Sequence, residues 1–102
     1  MLDLRPTCEH CNRLLPPESP DAMICSFECT FCRECVENVL ENVCPNCGGG
    51  FSPRPHRPAT DLINGNFLGR FPAPTKVVNK PVNVERHRRF AQDIRHVPPQ
   101  DR

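Results

Sequence analysis

A chain of 102 residues with 37% hydrophobic side chains, no Trp and no Tyr has room for one small domain and an extension, but not for a self-sufficient apolar core. Its formal charge of +1 counts eight cysteines as neutral thiols; as thiolates on two divalent ions they add −4 and bring the chain near −3. No apolar run is long enough for a membrane span, and Met1–Pro6 lacks the basic-then-apolar pattern of a signal peptide, so a reducing, cytoplasmic setting is expected.

The cysteines come in four pairs. Cys8 and Cys11 form the first C-x2-C, followed by Asn12. In a metal-binding knuckle the residue after the second Cys often needs φ > 0, which Asn tolerates. Ile24–Phe31 alternates enough to predict a short hairpin carrying Cys25 and Cys29. Cys32 and Cys35 then open a helix expected over 33–42, with apolar residues at 36, 39, 40 and 43 on one face. Unpaired N–H groups at a helix start favour thiolate there. Cys44-Pro45-Asn46-Cys47-Gly48 is the last knuckle, with Pro45 fixing φ and Gly48 free to take a positive one.

Beyond residue 52 the composition changes. Residues 1–53 hold three Arg against eight acidic residues; residues 54–102 hold ten Lys or Arg against four. Residues 53–60 read as a stiff Pro-rich connector. Residues 61–81 set short apolar groups between breakers around Asn64-Gly65, a poor hairpin at best; an irregular strap with its Phe residues on the cysteine module is expected. A basic amphipathic helix is expected at 82–97, its regular part about 83–96, capped by Asn83, with Phe90, Ile94 and Val97 on the apolar side. Pro98-Pro99 ends it, leaving 98–102 as a disordered tail. The division is thus 1–52, 53–81, 82–97 and 98–102.

Eight thiols divide evenly into two four-thiolate sites, and zinc is the metal that such sets hold most often. A disulfide framework would offer the same number of cysteines 105 connectivities, but goes with secretion. Spacing leaves two pairings open. Sequential sites would join Cys8, Cys11, Cys25 and Cys29, then Cys32, Cys35, Cys44 and Cys47, crowding at Cys29 and Cys32. Cross-braced sites would hold the helix between them.

The run Cys29-Thr30-Phe31-Cys32-Arg33-Glu34-Cys35, eight residues, then Cys44-Pro45-Asn46-Cys47, resembles the core of a RING finger. Phe31 stands where that family keeps an aromatic before the fifth ligand, and Cys29 where it often has His. The resemblance covers 8–47 and implies cross-bracing: Cys8, Cys11, Cys32 and Cys35 on one zinc, Cys25, Cys29, Cys44 and Cys47 on the other. It implies a small zinc-stabilised α+β fold, a RING-like treble clef with one short hairpin and one short helix, here followed by an irregular extension ending in a helix. The whole chain also resembles a small family of uncharacterised bacterial proteins, on its opening Met1–Pro6, the block Cys25–Cys32 and Cys44–Gly49. That resemblance implies zinc binding and no known reaction.

RING domains usually recruit a ubiquitin-conjugating enzyme through an apolar groove, and the residues for it are missing. Glu9 and His10 fill the first C-x2-C, no spare large apolar residue stands between the sixth and seventh ligands, and Gly48 replaces a basic residue. Four thiolates close a zinc site and leave no water to activate, so no catalytic residue is expected. His10 reads as a surface residue between ligands, and Glu34, Glu37 and Glu41 as a solvated helix face. The expected role is a structural zinc module serving as a protein-interaction adaptor. The alternative is nucleic-acid binding through Arg86, Arg88, Arg89 and Arg95, with Arg54 and Arg57 beside the connector. No Tyr or Trp offers a stacking platform, and the metallated charge is negative.

Overall fold

The alternation around Cys25 and Cys29 makes a hairpin in the computed structural model, which describes residues Met1–Arg102. Strand β1 (Ala22–Ile24) pairs antiparallel with β2 (Thr30–Cys32), Met23 opposite Phe31. Cys25 and Cys29, which the hairpin was expected to carry, lie in the turn between its strands. That turn closes with Glu28 at φ 65°, Glu28 N–H donating to Cys25 O and Cys25 N–H to Cys29 O. A two-residue strand, β3 (Ser52–Pro53), pairs with the other side of β1 and gives the order β2-β1-β3. Pro53 has no N–H to donate, which only an edge strand tolerates.

Helix α1 (Arg33–Cys35) follows β2 with no linker, and Cys32 is its N-cap: the Cys32 Sγ accepts the Cys35 N–H at 3.5 Å. The turn then widens into a π-helical segment, Val36–Leu40. The single helix expected over 33–42 is therefore shorter and changes pitch. Val36 and Leu40 are both buried. Glu41 and Asn42 then turn left-handed, at φ 54° and 58°, and end the element. Val36 and Leu40 join Leu15, Phe31 and six of the cysteines in the core, with Phe51 edge-on to Phe31 at a centroid distance of 5.6 Å.

Arg54 corrects the expectation of a phosphate-facing connector. It is buried at 3% exposure, and its guanidinium donates to Arg5 O, Leu15 O and Pro16 O at 2.9, 3.0 and 3.2 Å. Arg57 is likewise committed, donating to Phe71 O and Leu2 O. The Asn64-Gly65 turn forms, with Gly65 N–H donating to Asp61 Oδ1 at 2.9 Å, but no strands flank it. The strap reaches the cysteine module through hydrogen bonds of Asn79–Val82. Lys80 N–H donates to Glu9 O at 2.7 Å, the Asn79 amide to Glu9 O at 3.1 Å, and Val82 N–H to His10 Nδ1 at 2.8 Å. His10 is thus an acceptor for the strap.

Helix α2 (Val84–Ile94) is capped by Asn83, whose Oδ1 accepts the Arg86 N–H at 3.0 Å. Its buried residues are His87 and Ala91, four apart on one face, whereas Phe90 is 45% exposed and Ile94 half-buried. The inward face is thus rotated from the expected Phe90–Ile94–Val97 stripe. The cause is polar: His87 Nε2 donates to the buried Leu40 O at 3.0 Å, and small Ala91 lets the backbones approach. Residues 98–102, expected as a disordered tail, carry a 3-10 turn at Pro99–Asp101, and Arg102 donates to Asn42 O and Gly48 O at 2.8 and 3.1 Å. A Cβ at Gly50 would meet Pro99 Cγ at 2.7 Å, so the tail needs that glycine. No helix is long and apolar enough to cross a membrane.

Candidate metal centre

Two of the four cysteine pairs sit in knuckles built from backbone hydrogen bonds. In the first, Cys8 N–H donates to Arg13 O and Asn12 N–H to Cys8 O; in the last, Cys44 N–H donates to Gly49 O and Gly48 N–H to Cys44 O. Asn12 and Gly48 take φ of 62° and 78°. Each turn points N–H groups at sulfur. Asn46 N–H and Gly49 N–H donate to Cys44 Sγ and Cys47 Sγ at 3.5 and 3.3 Å, and Phe27 N–H to Cys25 Sγ at 3.3 Å. Such donors stabilise thiolate over thiol.

The fold brings the Sγ atoms of Cys8, Cys11, Cys32 and Cys35 within 4.8 Å of one another. Cys11 Sγ and Cys32 Sγ are 3.7 Å apart. A tetrahedral site with metal–sulfur bonds of about 2.3 Å has sulfur–sulfur edges of about 3.8 Å, so that edge suits a bound ion. It is far too long for a disulfide, and all eight cysteines are free. The second cluster joins Cys25, Cys44 and Cys47 by the same measure. Cys29 lies outside that limit; its Sγ accepts the side-chain amide of Asn46, which stands between Cys44 and Cys47, at 3.4 Å. The donor set is soft thiolate throughout, which suits zinc-type ions.

Without a cation, the two clusters hold most of their sulfurs as thiols. Burial pushes the Cys35 and Cys44 thiols strongly up, and those of Cys29 and Cys32 up as well, with neighbouring sulfur charge adding to it. Burial also opposes the Cys11 and Cys25 thiolates, yet N–H donors from Arg13 and Phe27 with neighbouring thiols outweigh it and lower both. Four thiolates packed this closely cannot all be charged without metal. In each cluster one sulfur residue is exposed, Cys11 in the first and Cys47 in the second.

The family described as protein of unknown function DUF1272 matches residues 1–57. The chain belongs to that family. An uncharacterized protein of Rhizobium meliloti (strain 1021), R02474, is 56% identical over 81 residues, covering 79% of this chain and 89% of that protein. No solved structure matches the chain. The family match spans both knuckles, the hairpin, α1 and the buried Arg54.

Of the basic residues singled out in the C-terminal helix, Arg86, Arg88 and Arg89 are exposed, while Arg95 is held by Glu41 at 2.6 Å. Sequence reasoning passed over Glu9. Its carboxylate is 3% exposed and accepts from the Arg5 guanidinium at 2.7 Å and from Thr30 N–H, tying the first knuckle to β2. An acidic residue inside a C-x2-C, with Arg four residues before it, was the available signal.

Proposed function

We propose that the chain is a two-zinc module of RING-like, cross-braced treble-clef type, acting structurally to present an interaction surface to a protein partner. One observation carries this reading: Cys8 and Cys11 converge with Cys32 and Cys35, passing over the nearer Cys25 and Cys29. That is the cross-brace order. Residues 1–52 are the zinc module; 53–81, 82–97 and 98–102 are its strap, helix and tail. A reducing cytoplasm would keep all eight thiols available.

Four-thiolate sites leave no coordination position for water, so the zinc would stabilise the fold and not react. A ligase role finds little support. Glu9, His10 and Gly48 replace groove residues, and Asn79–Val82 lies hydrogen-bonded across the first knuckle. Exposed Phe27 and Phe90, at 72% and 45%, are the anchors offered to a partner. The second reading, nucleic-acid binding, rests on Arg86, Arg88 and Arg89, none of which has an ion-pair partner.

Elemental analysis of reduced, purified protein tests the first reading: two zinc per chain are expected, and well under two would sink it. A pull-down of the zinc-loaded chain from its own host, with Phe27→Ala as control, tests the partner. For the second reading, a gel shift at low salt that weakens steeply as salt rises is required; no shift at low salt ends it.

A further inference from the structure

A cleft of about 520 Å³ lies between the two knuckles and the C-terminal extension. Glu9 and Phe31 line it on the module side, Pro45 and Asn46 on the second knuckle, and Lys80–Asn83 with the first turns of α2 on the outer side. Its volume is that of a small-molecule site. Three features of its wall are unspent.

The first is His87, 3% exposed. A carbonyl oxygen only accepts, so the bond to Leu40 O fixes the proton on Nε2. Nδ1 of the neutral ring is therefore a lone pair, and it is buried with no partner. An orphaned buried acceptor is costly, and it calls for an O–H or N–H donor. Phe90, 45% exposed with its ring 6.1 Å from the imidazole, lines the cleft beside it. The second feature is charge. Lys80 and Arg86 line the cleft and neither has an ion-pair partner, whereas the Glu9 carboxylate is already neutralised by Arg5. The third is the N-terminus of α2, an 11-residue helix whose Val84 and Glu85 N–H groups have no acceptor, the Arg86 N–H being capped by Asn83. Phe31, Val82 and Phe90 supply an apolar face beside these groups.

We propose that this cleft binds a small organic anion carrying a hydrogen-bond donor next to its charge, that is, a hydroxycarboxylate or a hydroxylated phosphate monoester. The anionic group sits between Lys80, Arg86 and the start of α2. The hydroxyl donates to His87 Nδ1. A bare anion lacks the donor, and a neutral polyol lacks the charge.

The test is an NMR titration of the full-length, zinc-loaded, ¹⁵N-labelled chain with four probes: lactate, glycerol 3-phosphate, inorganic phosphate and glycerol. Lactate or glycerol 3-phosphate, whichever matches the site, is expected to give saturable shifts at Val84, Glu85 and Arg86 and to move the His87 Nδ1 resonance upfield. Which of the two does so tells carboxylate from phosphate. Lys80→Ala and Arg86→Ala, both at exposed positions, are expected to weaken binding about tenfold each, with zinc content unchanged. Three results overturn the proposal. One is no saturable shift from any probe up to about 20 mM. Another is a response to inorganic phosphate or glycerol equal to that of the hydroxylated anions. The last is binding indifferent to both substitutions.

Discussion

Replacing His87 with Ala separates the docking of α2 from the integrity of the metal sites. The imidazole is 3% exposed and donates to Leu40 O at 3.0 Å, where the π-helical segment ends. Its removal costs that hydrogen bond, about 1 kcal/mol, because Leu40 O still accepts the Val43 N–H at 3.0 Å. The void adds about 1 kcal/mol. Losing the unpartnered Nδ1 returns about 1 kcal/mol, so the net loss is about 1 kcal/mol. At 1.4 kcal/mol per decade, the undocked population rises about 5-fold. An 11-residue helix is marginal by itself, so undocking melts it. Hydrogen exchange should show the inner-turn amides of α2 losing about 5-fold of their protection, while elemental analysis still finds two zinc. Protection unchanged in α2 would refute the docking role of His87. Loss of zinc from this variant would refute the separation of extension from module.

Arg54→Met keeps the apolar stem but leaves Arg5 O and Leu15 O without their donor, while Pro16 O keeps the Ser19 N–H. It should cost about 2–4 kcal/mol, read as a Tm fall of about 10 °C or more; a fall within a few degrees would contradict the buried role. Arg95→Ala breaks a short ion pair whose side chains are 42% and 33% exposed. The expected loss is below about 1 kcal/mol and vanishes in high salt; a larger, salt-independent loss would show that Arg95 does more. Burial holds Cys29, Cys32, Cys35 and Cys44 as thiols near neutral pH, while Cys11 and Cys25 are lowered. Zinc must displace those protons, so affinity rises with pH, with at least about two protons released per ion at pH 7. Calorimetry in two buffers of different ionisation heat counts them, and fewer than about two per ion would mean thiolates preformed without metal.

The cysteine spacing carried much of the local structure because each knuckle is encoded within a few residues. Asn12 and Gly48 already announced the positive φ, and Asn83 the start of α2. The placement of Cys25 and Cys29 was harder to read. Alternation around a short hairpin does not say which residues pair and which turn. The change from α to π at Val36 has no local signature either. The face of α2 was misjudged because apolar periodicity favours Phe90, whereas a buried hydrogen bond from His87 set the rotation. Arg54 escaped for a similar reason. In sequence an arginine between prolines looks solvated, and only the folded chain shows three carbonyls converging on it.

The pairing of the cysteines is tested most directly with cadmium-113 in place of zinc. Two resonances are expected in the range of four-thiolate sites. Proton–cadmium correlation should connect the β-protons of Cys8, Cys11, Cys32 and Cys35 to one and those of Cys25, Cys29, Cys44 and Cys47 to the other. Correlations joining Cys8 and Cys11 to Cys25 and Cys29, or a single cadmium per chain, would contradict the cross-brace.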